Sequence, residues 1–99
     1  MRKILFAIVL FQTLTQAQKK MIFPPNLKPG DTVGILATAR KNLENNLGPA
    51  TSWLESWGLK VKIGKTIGLD YHQLAGTDEE RAEDLQEMLD NPNIKAIWC

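Results

Sequence analysis

The segment Thr32-Val33-Gly34-Ile35-Leu36-Ala37-Thr38 constrains the fold of this chain more than any other. It is β-branched at both ends and apolar almost throughout, the pattern of a strand covered on both faces rather than one with a wet side. Such a strand belongs inside a parallel sheet, and parallel strands must be joined by crossovers, usually helices. The following sequence supplies them. Leu47, Ala50, Leu54 and Trp57 recur at helical spacing, with Trp53 beside them and Gly58 as a stop. They predict a helix over about 43–57, with Gly48-Pro49 either making its first turn irregular or moving its start.

Leu59 to Ile63 alternates apolar residues with lysines and reads as a second strand with one face nearer solvent. The stretch from Thr66 to Ala75 has no period and reads as a loop. Thr77-Asp78-Glu79-Glu80 is a capping box: the Thr77 hydroxyl can accept from the Glu80 N–H while the Glu80 carboxylate reaches back. Six of the eleven acidic residues fall between Ala75 and Leu89. With Ala82, Leu85, Met88 and Leu89 as the apolar stripe, these acids read as a solvated helix face rather than a reaction centre. Arg81 is placed to pair with Asp78 or Asp84. Asn91-Pro92-Asn93 ends that helix, and Ile94 to Cys99 begins a third strand with no terminating signal. The expectation is an α/β fold: a parallel βαβαβ sheet with flanking helices, flavodoxin-like or Rossmann-like, truncated in the third strand.

The start of the chain has a different character. Met1 to Lys3 is basic, Ile4 to Leu14 is apolar apart from Gln12 and Thr13, and small residues precede a cut after Ala17. A bilayer span needs roughly 20 apolar residues, and this run is about half that, so residues 1–17 are expected to be a cleaved signal peptide. Residues 18–31 form an extended lead-in, broken by Pro24, Pro25 and Pro29, that ends in a Lys28-Pro29-Gly30-Asp31 turn of type II. Residues 32–99 are then an incomplete α/β domain.

Little in the composition points to chemistry. Twelve basic and eleven acidic side chains leave a net charge of +1, too balanced for a nucleic-acid surface. Cys99 is the one cysteine and His72 the one histidine, so neither a disulfide nor a cysteine metal cluster is available within the chain. Thr38-Ala39-Arg40-Lys41-Asn42, after the first strand, lacks the glycines of a dinucleotide loop, which weakens that reading. His72 reads as a loop residue.

Four blocks carry a resemblance: Leu27 to Ile35, Trp53 to Val61, Ala75 to Gln86 (with Ala-Gly-Thr-Asp-Glu-Glu-Arg as its most specific part) and Ile94 to Cys99. In order and spacing they resemble the N-terminal domain of the LD-carboxypeptidase family of serine peptidases, which includes the microcin-immunity peptidases. The resemblance implies a hydrolase that removes the terminal D-alanine from murein tetrapeptides. It also implies a Ser-His-Glu triad, in which serine attacks the carbonyl, histidine takes its proton and glutamate orients the histidine, with no metal or organic cofactor. Family members carry those residues, and an Arg-Gly-Gly-Tyr-Gly segment, at positions beyond the one matched by Cys99. No catalytic residue is therefore assigned here, and Ser52, Ser56 and His72 are not promoted to the roles. Where the family has a small Pro- and Ser-containing loop near its groove this chain has Thr38-Ala39-Arg40, and Thr38, read first as a structural residue of that loop, is the one candidate substrate-binding residue.

The expected protein is thus the N-terminal fragment of an exported, periplasmic peptidase, inactive by itself, acting on a murein or related L,D-peptide. It is expected to have no nucleic-acid partner and no membrane span after signal cleavage, and to be able to form a homodimer at full length. The competing expectations are the first lobe of a periplasmic solute-binding protein and a small self-contained interaction domain.

Overall fold

A computed structural model describes residues 19–43 and 46–99, so the expected signal peptide lies outside the described residues. Five elements follow in the expected order: β1 (Thr32–Ile35), α1 (Gly48–Ser56), β2 (Lys60–Ile63), α2 (Asp78–Asp90) and β3 (Ile94–Trp98). Both strand pairings are parallel and the spatial order is β2-β1-β3. The two-sided apolar strand therefore takes the central position. This is the 2-1-3 order of flavodoxin-like doubly wound sheets. Although β1 is only four residues long, its ladder runs on: Leu36 N–H donates to the Trp98 carbonyl (3.2 Å) and Gly64 N–H to that of Ile35 (2.7 Å).

Alternation along β1 divides the two faces. Val33 and Ile35 join Leu47, Leu54 and Leu59 in the main core, whereas Gly34 faces α2. A Cβ at Gly34 would lie 2.5 Å from Met88 Sδ, and one at Gly64 only 2.6 Å from Asp84 Oδ2 and 2.9 Å from Leu36 Cβ. These two glycines are what let α2 approach the sheet so closely. At the opposite end of the sheet the Lys28–Asp31 turn closes as expected, with Gly30 at φ +94° and Asp31 N–H donating to the Lys28 carbonyl (3.0 Å). Gly30 N–H also reaches the Gly58 carbonyl (2.7 Å), which ties the lead-in to the end of α1.

Both helices depart from the sequence reading. α1 starts at Gly48, with Pro49 in its first turn where a missing N–H costs nothing. Leu47 and Leu54 are buried, but Trp53 and Trp57 are 64% and 60% exposed. On α2, Thr77 caps as expected, its hydroxyl accepting from Glu80 N–H at 3.2 Å. The expected inward stripe is rotated, however: Asp84 and Met88 are buried, Arg81 and Leu85 half-buried, and Ala82 and Leu89 lie outside.

Candidate functional site

In open parallel sheets ligands bind beyond the carboxyl ends of the strands, where the order of strands reverses. Here the chain passes from β1 to β2 on one side and returns past β1 to β3 on the other, so the reversal lies between β1 and β3. A cavity of about 310 Å³ sits there, lined by Ile35, Leu36, Asn42, Leu47, Ala50, Trp98 and Cys99. Five of the seven lining residues are apolar, the others being Asn42 and Cys99. Thr38 is exposed on the adjoining loop and lies outside that lining.

The loop after β1 is held from several directions. Its first residue, Ala37, donates its N–H to Thr66 Oγ1 (2.9 Å). Farther along, the Ala39 carbonyl accepts from Ala75 N–H (3.0 Å), Lys41 N–H donates to the Gln73 carbonyl (3.1 Å), and the Asn42 carbonyl accepts from Gly68 N–H (2.8 Å). The 66–75 segment, unperiodic in sequence, thus serves as a backbone clamp. It has its own tight turn at His72-Gln73, where Tyr71 and Leu74 exchange N–H to carbonyl bonds of 2.9 Å in each direction. His72 sits there at φ 59°, its ring edge-on to Tyr71.

Beneath the loop lies a buried polar relay. Asp84 is 3% exposed, and its Oδ2 accepts from both Thr66 N–H (2.8 Å) and Thr66 Oγ1 (2.6 Å). Because the Thr66 hydroxyl gives its proton to Asp84, its oxygen is left to accept from Ala37, which links α2 through the post-β2 turn to the end of β1. A carboxylate can be buried here because two donors meet it; deleting the acceptor would strand both donors, at about 1–3 kcal/mol. Arg81, one helical turn earlier, donates from Nη1 to the Thr38 carbonyl (3.2 Å) and from Nη2 to Asp78. Its Nε is buried without a hydrogen-bond partner. At the rim, the exposed Lys65 pairs with Glu87 (2.7 Å), and this hydrogen bond, then the charge of Glu87, raises the lysine pKa.

Sequence reasoning missed Thr66, Arg81 and Asp84 as parts of this region. The usable signal was the spacing of Arg81, Asp84 and Met88, which follows one helical face. The other sequence candidates stay apart from it. Ser56 Oγ donates to the Trp53 carbonyl (2.6 Å), Ser52 lies exposed on α1, and His72 lies on the exposed turn. Among the described residues no three His, Cys, Asp or Glu side chains gather as a metal site.

Comparison with known proteins places this geometry. Residues 33–99 match the family model described as LD-carboxypeptidase N-terminal domain. A Bacillus subtilis protein named "Probable murein peptide carboxypeptidase" is 41% identical over 85 residues, covering 81% of this chain and 27% of that protein. The murein tetrapeptide carboxypeptidase of Pseudomonas aeruginosa is 36% identical over 67 residues, covering 68% of this chain and 22% of the relative. Among solved structures, a mutant of the microcin C7 self-immunity protein MccF in complex with adenosine monophosphate superimposes with a TM-score of 0.69 at 28% identity. That likeness covers 78% of this chain and 24% of MccF. The chain spans about a quarter of the length of the relatives it matches.

Proposed function

Because this chain belongs to the LD-carboxypeptidase family, we propose that it is the N-terminal part of an exported serine peptidase that hydrolyses the amide before the terminal D-alanine of murein tetrapeptides. The observation that carries the reading is the 41% identity with a relative named as a murein peptide carboxypeptidase. The 2-1-3 sheet order and the cavity at its reversal support it, since ligands of open parallel sheets bind at such a reversal beyond the strand ends.

In this reading the chain supplies a wall of the groove, with Thr38 facing the peptide, and the serine, histidine and glutamate come from sequence outside these 99 residues. The chain by itself is then inactive. Residues 1–17 direct it across the membrane to the periplasm, where murein lies, and the full-length enzyme pairs as a homodimer.

The test is release of D-alanine from a murein tetrapeptide. Full-length protein read through the codon for Cys99 releases it and the 99-residue chain does not; a folded full-length protein that releases none overturns the substrate assignment. N-terminal sequencing of the exported protein is expected to begin at Gln18, and retention of Met1 would remove the signal peptide from the proposal.

A further inference from the structure

We propose that Arg81 and Asp84 are positioning residues that hold the loop after β1 in the shape it presents to the substrate; this deepens, and rests on, the murein-peptidase reading. The two side chains rise from one face of α2 and act on consecutive residues of the loop. Asp84 acts at Ala37, through the Thr66 hydroxyl (2.6 Å and then 2.9 Å). Arg81 acts at Thr38, directly on its carbonyl oxygen (3.2 Å).

Neither contact is what packing alone would select. A helix seated on two glycines could present an apolar side chain where Asp84 stands, and Arg81 keeps a buried Nε–H with no acceptor. Buried polar groups left unpaired are uncommon, and this one stays because its guanidinium is pinned at both Nη atoms, to Thr38 and to Asp78. The consequence is directional. With its main chain fixed at Ala37, Thr38 and Ala39, the loop cannot tilt toward or away from the neighbouring cavity, and the Thr38 side chain is held on the open side. Since neither residue needs to touch substrate, their loss should weaken binding of ground state and transition state alike, raising KM with kcat largely kept.

Full-length enzyme with Arg81→Met, which keeps the bulk of the stem without its donors, is expected to show KM for the tetrapeptide raised about tenfold with kcat changed less than about twofold. Asp84→Ala should do the same, and Asp84→Asn, whose oxygen can still accept both Thr66 donors, should restore most of the loss. Amide exchange should accelerate in Arg81→Met at Lys41 and Ala75, whose bonds hold the loop, and not at Val33 or Ile35. Unchanged KM, or a fall in kcat accompanied by faster exchange throughout the sheet, overturns the positioning role. A wild-type enzyme that releases no D-alanine defeats the murein reading instead. The exchange measurement then decides this proposal by itself, and unchanged rates at Lys41 and Ala75 sink it.

Discussion

The two helices invert what their compositions promise. α1 has one charged residue, Glu55, yet buries only Leu54 along its length and leaves Trp53 and, at its C-cap, Trp57 to solvent. α2 is acidic at seven of its thirteen positions, yet one of those acids is among its two buried residues. The difference follows from what each helix meets. α1 packs beside β2, the edge strand, and among the described residues no further layer covers its outer side. α2 crosses the middle of the sheet over Gly34 and Gly64, where the space is small and two donors from Thr66 wait. Composition sets how much apolar surface a helix carries, but the facing surface decides which side chains enter.

The sharpest way to break this comparison uses glycines on the two sides. Gly64→Ala would put a Cβ against Asp84, Leu36 and Met88, and Gly64 has no positive φ to confuse the reading. Overpacking of this kind is expected to cost about 3 kcal/mol. Gly48→Ala, in the first turn of α1, meets nothing within 4 Å beyond its own chain neighbours, and only the Pro49 ring disfavours its Cβ in a helical conformation, so it should cost no more than about 1 kcal/mol. Urea midpoints should therefore fall unequally, with Gly64→Ala the more destabilised of the pair. A neutral Gly64→Ala would mean that α2 can lift away, and the close-approach account would be wrong.

Capping gives the next largest effect. Thr77→Ala removes the acceptor for Glu80 N–H and should lower the urea stability by about 1 kcal/mol; α1, whose N-cap Leu47 makes no side-chain bond, offers nothing comparable to remove. Trp57→Ala should cost less than about 1 kcal/mol, against the 3–5 kcal/mol typical of a buried aromatic. A larger loss would show that the ring is covered in solution.

Much of the fold could be read from the chain because local and long-range signals agreed. The two-sided apolar run demanded a central strand, Pro29-Gly30 fixed the turn before it, and Thr77 announced α2 three residues ahead of the N–H it caps. The site was less legible. Arg81 and Asp84 look like members of a surface charge pattern until Gly34, Gly64 and Thr66 are brought beneath them from 15 to 50 positions earlier in the chain. Hydropathy could not find that face, because the inward stripe is defined by donors and by absent side chains as much as by apolar ones. Trp57 misled for a simpler reason: α1 has already ended at Ser56, so helical spacing no longer sets where that ring points.

The smallest expected effect concerns the rim of α2, where Lys65 meets Glu87 in full solvent. The folded-state pKa of Lys65 is raised above its ordinary 10.5, chiefly by its hydrogen bond to Glu87 and then by the charge of that residue, with Asp84 and Glu83 adding smaller contributions. A base held more strongly protonated when folded stabilises the fold fully below pH 10.5. As pH rises past that value the unfolded chain releases its proton first, so stability falls, and the contribution is gone once the raised folded pKa is passed. The urea midpoint should thus be insensitive to Lys65→Met substitution in its pH dependence from 7 to 9, and the wild type should lose more than the variant above about 10.5. Salt should shrink the difference, because both partners are exposed. A pH-dependent gap between the two proteins already present near neutrality would require Lys65 to be coupled to a group other than Glu87, and would extend the polar relay around Asp84 to the surface of the helix.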